Sequence, residues 1–379
     1  MVKNTVEQLD NKKIAIVADW LTTYGGAEKV VLTVHEMFPD APIYTSQYSR
    51  KNLNWFDDCD VRTGWVNIFP SFLRKILSIP RAIYFSRLNL KEYDVIISIF
   101  TAESKGIKTS SDQLHISYLQ GPPIQYFWGM YDQYVENPGF GRLNFLVRFF
   151  FKLLVKPLRK LDYKFAQRPD CLLANSTYSS LEIKKYYNRD SIVVFPPVEV
   201  SDFKLNNKKE DFFISTSRQV NWKRLDLAVE AFKKTGDQLI LVGGGAEHDK
   251  LVKLADDAKN IKFIPMIKSA KELSNLVGRA KAFVFPSLEP FGIAPIEALS
   301  TGTPIIAFKQ GGALDYIRDG ENGVFFEEQT VESLISGINK LKFIELNGRK
   351  ISTTARRFSA INFKNTFKHV IMEKINEKN

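Results

Sequence analysis

The sequence predicts an α/β protein of two domains in series, each a parallel sheet with helices on both faces. Three observations carry that expectation. The chain has 379 residues, more than one ordinary core serves. Short apolar runs alternate with helical stretches in both halves. Between the halves lies PPVEVSDFKLNNKKEDF, a polar, proline-led stretch that reads as a linker. The expected division is a first domain at 1–197, a linker at 198–210, a second domain at 211–357 and a final helix at 358–379.

In the first half, strand-like runs fall at Ile14-Ala15-Ile16-Val17, Val95-Ile96-Ile97, His115-Ile116-Ser117-Tyr118, Cys171-Leu172-Leu173 and Ile192-Val193-Val194. Helices are expected at 27–38 and 179–187. The second series is Phe212-Phe213-Ile214, Gln238-Leu239-Ile240-Leu241-Val242, Ile261-Lys262-Phe263-Ile264, Ala282-Phe283-Val284-Phe285 and Pro304-Ile305-Ile306-Ala307. Such alternation implies parallel strands, and two domains of this kind make the cleft between them the natural active site. Phe358, Ile361, Phe363, Phe367 and Ile371 give the last helix an apolar face, expected to pack against both domains.

Composition narrows the class. Hydrophobic content of 44% and charge of 25% are those of a soluble globular protein. Two cysteines, Cys59 and Cys171, exclude a disulfide framework and a cysteine zinc site, and fit a reducing compartment. The amino-terminal stretch MVKNTVEQLDNKK lacks an apolar signal core, and no window offers ~18 uninterrupted apolar residues. A cytoplasmic location is expected.

The net charge of +11 is concentrated. Residues 61–90 hold five basic residues, Arg62, Arg74, Lys75, Arg81 and Arg87, and no acid. Residues 139–168 hold eight basic residues and one acid, Asp162, so the rest of the chain is near neutral. Both windows are rich in large apolar residues. In the second, Arg148, Lys152, Lys156, Lys160 and Lys164 recur every four residues, a slowly drifting helical stripe that Pro157 is expected to kink or divide. Such a helix suits an anionic membrane surface, each basic residue contributing about 1 kcal/mol, or it is the solvated face of a packed helix. No nucleic-acid-binding motif accompanies the charge, and no nucleic-acid partner is expected.

The stretch FPSLEPFGIAPIEALSTGTP at 285–304 places Glu289 and Glu297 around the start of a short helix. Pro295 suits its first turn and Gly302 its end. A helix N-terminus offers unpaired N–H groups and a positive dipole end to a phosphate. Two acids beside such a site fit hydroxyl binding; alternatively Glu297 is a dipole partner or cap worth roughly 0.3–1 kcal/mol. In the first half, Gly25 and Gly26 precede a helix and leave room for phosphate or form an ordinary turn. The second half opens with a strand into Arg218, then Lys223 and Arg224, cations that face a ligand or solvent. Gly243-Gly244-Gly245 follows the next strand.

Together these stretches resemble, over nearly the whole chain, the family 4 retaining glycosyltransferases of the GT-B type, which have two Rossmann-like domains. The resemblance rests on EPFGIAPIE with GTP at Gly302 to Pro304, GGAEKVV at Gly25 to Val31, ANSTYSSLEIKKYY, FPPVEV and SRQVNWKRLDLAVEAF. It is similar within that family to mannosyltransferases of bacterial surface-polysaccharide assembly, through GGAEKVVLTVHEMFPDAPIYT and YDVIISIFTAESKGI.

The resemblance implies transfer of a hexose, mannose in particular, from a GDP- or UDP-sugar to a lipid-linked or glycolipid acceptor at the inner face of the plasma membrane. Arg218 and Lys223 match the pair that neutralises the donor diphosphate, Glu297 the acid on the ribose, and Glu289 the acid on donor-sugar hydroxyls. Phe291, Gly292 and Ile293 supply N–H groups near sugar and phosphate; Gly244 is placed at the donor, and Gly25 and Gly26 approach the diphosphate from the other domain. No metal or other cofactor is implied. Asp58-Cys59-Asp60 mimics a metal motif but lies far from these positions in sequence.

Where similar family members carry His-Thr-Pro before an Arg-Tyr pair and a Trp, this chain reads from Tyr118 to Trp128 with Gly121 in the histidine's place. Gln120 and Gln125 are candidate replacements as hydroxyl binders. The departure keeps two other readings in play, a non-catalytic scaffold or regulatory partner of the same fold and a sugar-nucleotide epimerase.

Overall fold

The computed structural model describes residue 9 and residues 11–124, 127–136, 141, 144–256 and 258–378. The chain forms two compact units, Met1–Pro196 with Phe363–Asn379, and Pro197–Asn362.

The first unit is a parallel sheet of β1 (Ile14–Ala18), β2 (Ile43–Thr45), β3 (Val61–Thr63), β4 (Val95–Ile99), β5 (Leu114–Leu119), β6 (Cys171–Ala174) and β7 (Ile192–Val193). Their order is β3-β2-β1-β4-β5-β6-β7. Every residue of β1, β4 and β5 is buried, because helices cover both faces. Strands β2 and β3 go beyond the sequence expectation: each is three residues long, too short for periodicity to register.

The second unit repeats the plan with β8 (Phe213–Thr216), β9 (Leu239–Val242), β10 (Ile261–Ile264), β11 (Ala282–Phe285), β12 (Ile305–Phe308) and β13 (Gly323–Phe326), ordered β10-β9-β8-β11-β12-β13. β13 was also unforeseen. It opens on Gly323, where a Cβ would meet Ile305 O at 2.4 Å, so pairing with β12 requires the missing side chain. In both sheets the strand order reverses beside the first strand, between β1 and β4 and between β8 and β11. Ligands of doubly wound sheets bind outside the carboxyl ends of the strands at that reversal.

The last helix, Ala360–Lys378, lays Phe363, Phe367, Val370, Ile371 and Ile375 into the core of the first unit, with Phe363 and Phe367 edge-on to Tyr118 at 5.8 and 5.9 Å. Phe358 precedes that helix and packs within the second unit against Phe291 and Tyr316. Ile361, assigned to the apolar face from sequence, is 71% exposed, being out of phase with the Phe363-Phe367-Ile371 row.

Helix Asn144–Ala166 runs on through Pro157, against the expected division. The windows of excess charge are also less uniform than their composition. Arg81 is fully buried in an ion pair with Glu103 at 2.6 Å. Asp162 is buried against Lys105 at 2.7 Å and accepts hydrogen bonds from Trp128 and Tyr187. Arg168 is bonded to the carbonyl of Gly106, and Arg148 donates to the carbonyls of Val135 and Glu136. Arg81, Asp162 and the part-buried Arg168 are structural because a charge shielded from water needs a partner, whereas Arg148 stays exposed.

Candidate functional site

At the carboxyl end of β8 the chain continues through Ser217, Arg218 and Gln219 into a 3-10 turn at Asn221–Lys223, then helix Leu225–Thr235. Gln219 is buried and holds this segment against the loop after β9: its backbone N–H donates to Gly244 O at 2.9 Å and its Nε2 to Gly243 O at 3.1 Å. The close approach explains two of the three glycines. A Cβ on Gly243 or Gly245 would lie 2.1 Å from Ser217 O or 2.4 Å from Gln219 O, whereas one on Gly244 meets nothing within 4 Å. Gly244 is exposed, so its missing side chain leaves open space.

Across the strand reversal, β11 runs into Pro286-Ser287-Leu288-Glu289-Pro290-Phe291-Gly292 and helix Ile293–Ser300. Gly292 sits at φ +95, and a Cβ there would lie 2.8 Å from Phe285 Cζ. That left-handed residue starts the helix two positions before Pro295, so Glu297 lies one full turn in rather than in the first turn. Pro295 occupies the third helical position, where its lacking N–H is no loss. No side chain caps this N-terminus.

Lys223 and Glu289 meet in a part-buried ion pair, and Ser287 Oγ donates to the same carboxylate oxygen at 2.9 Å. Lys223 comes from the end of β8 and Glu289 from the end of β11, so the pair spans the reversal. Arg218 is exposed, and its guanidinium makes no hydrogen bond or ion pair among the described residues. Arg224, at φ +50, turns aside to Asp226. Glu297 is half-buried; burial pushes its carboxyl up to about 7, and the nearby Asp202 adds to the rise. Cations, a helix N-terminus and carboxylates thus converge on one edge of the second sheet, an arrangement suited to a diphosphate carrying hydroxyl groups.

Sequence reasoning overlooked three supports of this edge. Gly312 N–H donates to Glu289 O at 2.8 Å, and a Cβ on Gly312 would lie 2.4 Å from Phe291 Cα, so the Gly311-Gly312 pair lets the 289–291 loop settle. Phe291 is buried edge-on to Tyr316 at 5.8 Å, and the buried Tyr316 hydroxyl has no hydrogen-bond partner among the described residues. Asp202 comes from a 3-10 turn in the stretch read as linker. The paired glycines at 311–312 were the available signal. A cavity of this unit, about 640 Å³, is lined by Ser201, Asp202, Lys271 and Asn275 among others, and by none of the nominated residues.

In the first unit, Gly25 caps helix Gly26–Met37 in extended conformation. A Cβ on Gly25 would lie 2.7 Å from Glu28 Oε2, so the glycine makes room for a buried carboxylate over the helix N-terminus, with Gly26 exposed beside it. Gln120, at the end of β5, donates from Nε2 to Ala27 O at 2.9 Å, and Asn175 Nδ2 donates to its carbonyl at 2.7 Å. Gln120 and the glycine turn are therefore neighbours. Gln125 lies outside the described residues. At the end of β1, Asp19 is buried and accepts the N–H groups of Ala102 and Ser104 at 2.7 and 2.6 Å; burial first, then Glu103, raises its carboxyl to about 6. Asp60 of the Asp-Cys-Asp string pairs with Arg62 at 2.7 Å.

Residues 198–358 match the family model described as Glycosyl transferases group 1. The alpha-1,3/1,6-mannosyltransferase ALG2 of Dictyostelium discoideum is 27% identical over 251 residues, 52% of this chain and 58% of that protein. The D-inositol 3-phosphate glycosyltransferase of Mycobacterium sp. strain KMS is 27% identical over 212 residues, 48% of each. The chain spans about half the length of the curated relatives it matches. Among solved structures, Anabaena HepE in complex with UDP aligns with TM-score 0.67 at 16% identity, over 95% of this chain and all of that one. Sucrose-phosphate synthase from Thermosynechococcus elongatus aligns with TM-score 0.73 at 15% identity, over 97% of this chain and all of that one. The chain thus has the α/β GT-B fold, and its residues 198–358 match the model described as Glycosyl transferases group 1.

Proposed function

We propose that the protein is a family 4 retaining glycosyltransferase that moves a hexose, mannose in our reading, from a GDP- or UDP-sugar to a lipid-linked or glycolipid acceptor in surface-polysaccharide assembly. The observation that carries this reading is the Lys223–Glu289 pair set beside an uncapped helix N-terminus at the reversal of the second sheet. The names of relatives support it: ALG2 is a mannosyltransferase, and HepE is described in complex with UDP and UDP-glucose.

In this reading Arg218 and Lys223 take the charge of the diphosphate, helped by the N–H groups of Gly292 and Ile293. Glu297 accepts hydrogen bonds from the ribose hydroxyls and Glu289 from those of the sugar; donor binding turns Glu289 from its lysine toward the hydroxyls. The bond from the anomeric carbon to the diphosphate oxygen breaks as the acceptor oxygen bonds to the same face of that carbon. The acceptor proton passes to the departing phosphate oxygen, so the enzyme supplies charge stabilisation rather than a base. The exposed lysines of helix Asn144–Ala166 hold the first unit peripherally on the anionic inner face of the plasma membrane. No helix among the described residues is long and apolar enough to cross a membrane.

The test is a panel of sugar nucleotides incubated with the protein and a membrane lipid extract, with glycolipid product read by mass and the new anomeric centre by NMR. GDP- or UDP-hexose consumption that needs acceptor and gives a retained linkage supports the reading. Turnover without acceptor marks an epimerase, and no turnover with any donor marks a non-catalytic partner.

A further inference from the structure

Beside the basic helix, the first unit has an apolar groove that its core leaves open. Ile76 and Ile79 form one wall and Leu146, Phe150, Leu154 and Leu158 the other, around about 280 Å³. Four of these six are more than 40% exposed. Further exposed apolar residues lie on the same segments, Ile68 and Phe72 shortly before Ile76 in the chain and Phe145, Phe149 and Leu153 on the helix of the other wall, with Phe72 at 74% and Phe145 at 66% exposure. A groove of this lining, flanked by further exposed apolar residues on the same segments, marks a binding site. Lys152, Lys156, Lys160 and Lys164 stand on the outer side of the same helix, exposed and without a hydrogen bond or ion pair among the described residues.

We propose that this groove receives the hydrocarbon tail of a membrane lipid, while the four lysines rest on anionic headgroups. Charge selects this occupant. A second copy packed face to face would set the lysines against one another, whereas an anionic bilayer offers hydrocarbon and negative charge together. One helix then meets both with its two sides, Phe149 and Leu153 lying between its lysines and the groove. The inference rests on the lipid-side reading of the first unit and adds to it a tail-binding site distinct from the headgroup contacts.

The test uses the full chain with two probes, cis-parinaric acid as a fluorescent single chain and phosphatidylglycerol vesicles as a bilayer. Wild-type protein is expected to enhance parinaric fluorescence, and Ile79→Glu or Leu154→Glu to weaken that binding tenfold or more. The triple variant Lys152→Gln, Lys156→Gln, Lys160→Gln is expected to lose vesicle binding at least tenfold but keep parinaric binding within threefold. Melting temperature and protection by GDP or UDP are read on the same samples, so a failure of the donor reading shows separately. If a glutamate variant does not fold, Ile79→Ser replaces it and is expected to weaken the probe threefold or more. Parinaric binding unchanged in the folded groove variants overturns the proposal. So does a wild-type dimer that Ile79→Glu converts to monomer while neither form binds the probe.

Discussion

Lys223 and Glu289 close an ion pair between the ends of β8 and β11, on the line where strand order reverses. The two lie 66 positions apart in sequence. Removing either leaves the other part-buried without its counter-charge, Glu289 then keeping only the Ser287 hydroxyl. Lys223→Met or Glu289→Ala is expected to lower stability by about 1–3 kcal/mol and turnover by ~10²–10³, which chemical denaturation and steady-state kinetics with the identified donor would separate. Full turnover in both variants would remove the pair from catalysis.

Glu297 should bind ribose as a carboxylate, although burial holds its folded-state carboxyl at about 7. GDP or UDP affinity should therefore fall as pH drops from 8 to 6, and Glu297→Gln should be weaker throughout, by ~10–100-fold at pH 8, with a flat profile. The apo protein shows the opposite sign. A carboxyl raised on folding contributes stability that is complete below its unfolded value and is lost as pH rises through about 7. Melting curves of the Gln variant should lose that component, and an unchanged nucleotide profile would take Glu297 out of the site.

A Cβ on Gly292, at φ +95, would lie 2.8 Å from Phe285 Cζ, while Gly320 at φ +82 has open space around its would-be Cβ. Both alanine variants carry backbone strain, and only the first adds a clash. Gly292→Ala is expected to cost ~1–3 kcal/mol beyond Gly320→Ala and to reduce donor affinity, with Gly320→Ala leaving affinity unchanged. Equal effects on stability would show that the ring moves aside.

Arg81 and Lys152 were equivalent basic residues by composition. Arg81→Met strands the buried Glu103 and should cost ~3–5 kcal/mol, whereas exposed Lys152→Gln should change stability by no more than about 0.5 kcal/mol. Urea unfolding of the two proteins compares them directly.

Gln120 bonds to Ala27 O beside the glycine turn. If it does the work of the histidine carried by the transferases this chain resembles, Gln120→Ala should lower kcat about tenfold or more with nucleotide affinity within twofold. Loss of affinity with kcat intact would mark it instead as a support for helix Gly26–Met37.

Much of the architecture was legible because long buried strands such as β4 and β5 announce themselves as continuous apolar runs. The three-residue strands β2 and β3 did not, and β13 hid behind its opening glycine. The motif around Glu289 was legible as strand, loop and helix. Its supports at Gly312 and Tyr316 were not, since neither carries a pattern of its own without the neighbour it packs against.

Two α/β units with cations and carboxylates near strand ends could be read from local pattern alone, because periodicity and turn chemistry are local properties. Tertiary packing sets which charges are paired and which stay exposed. It buried Arg81 and Asp162 with partners, set Glu28 over the glycine turn, and left Arg218 and the lysines of helix Asn144–Ala166 in the open. Whether a charge is spent on a partner depends on what the fold brings within a few ångströms, and residues distant in sequence decide that.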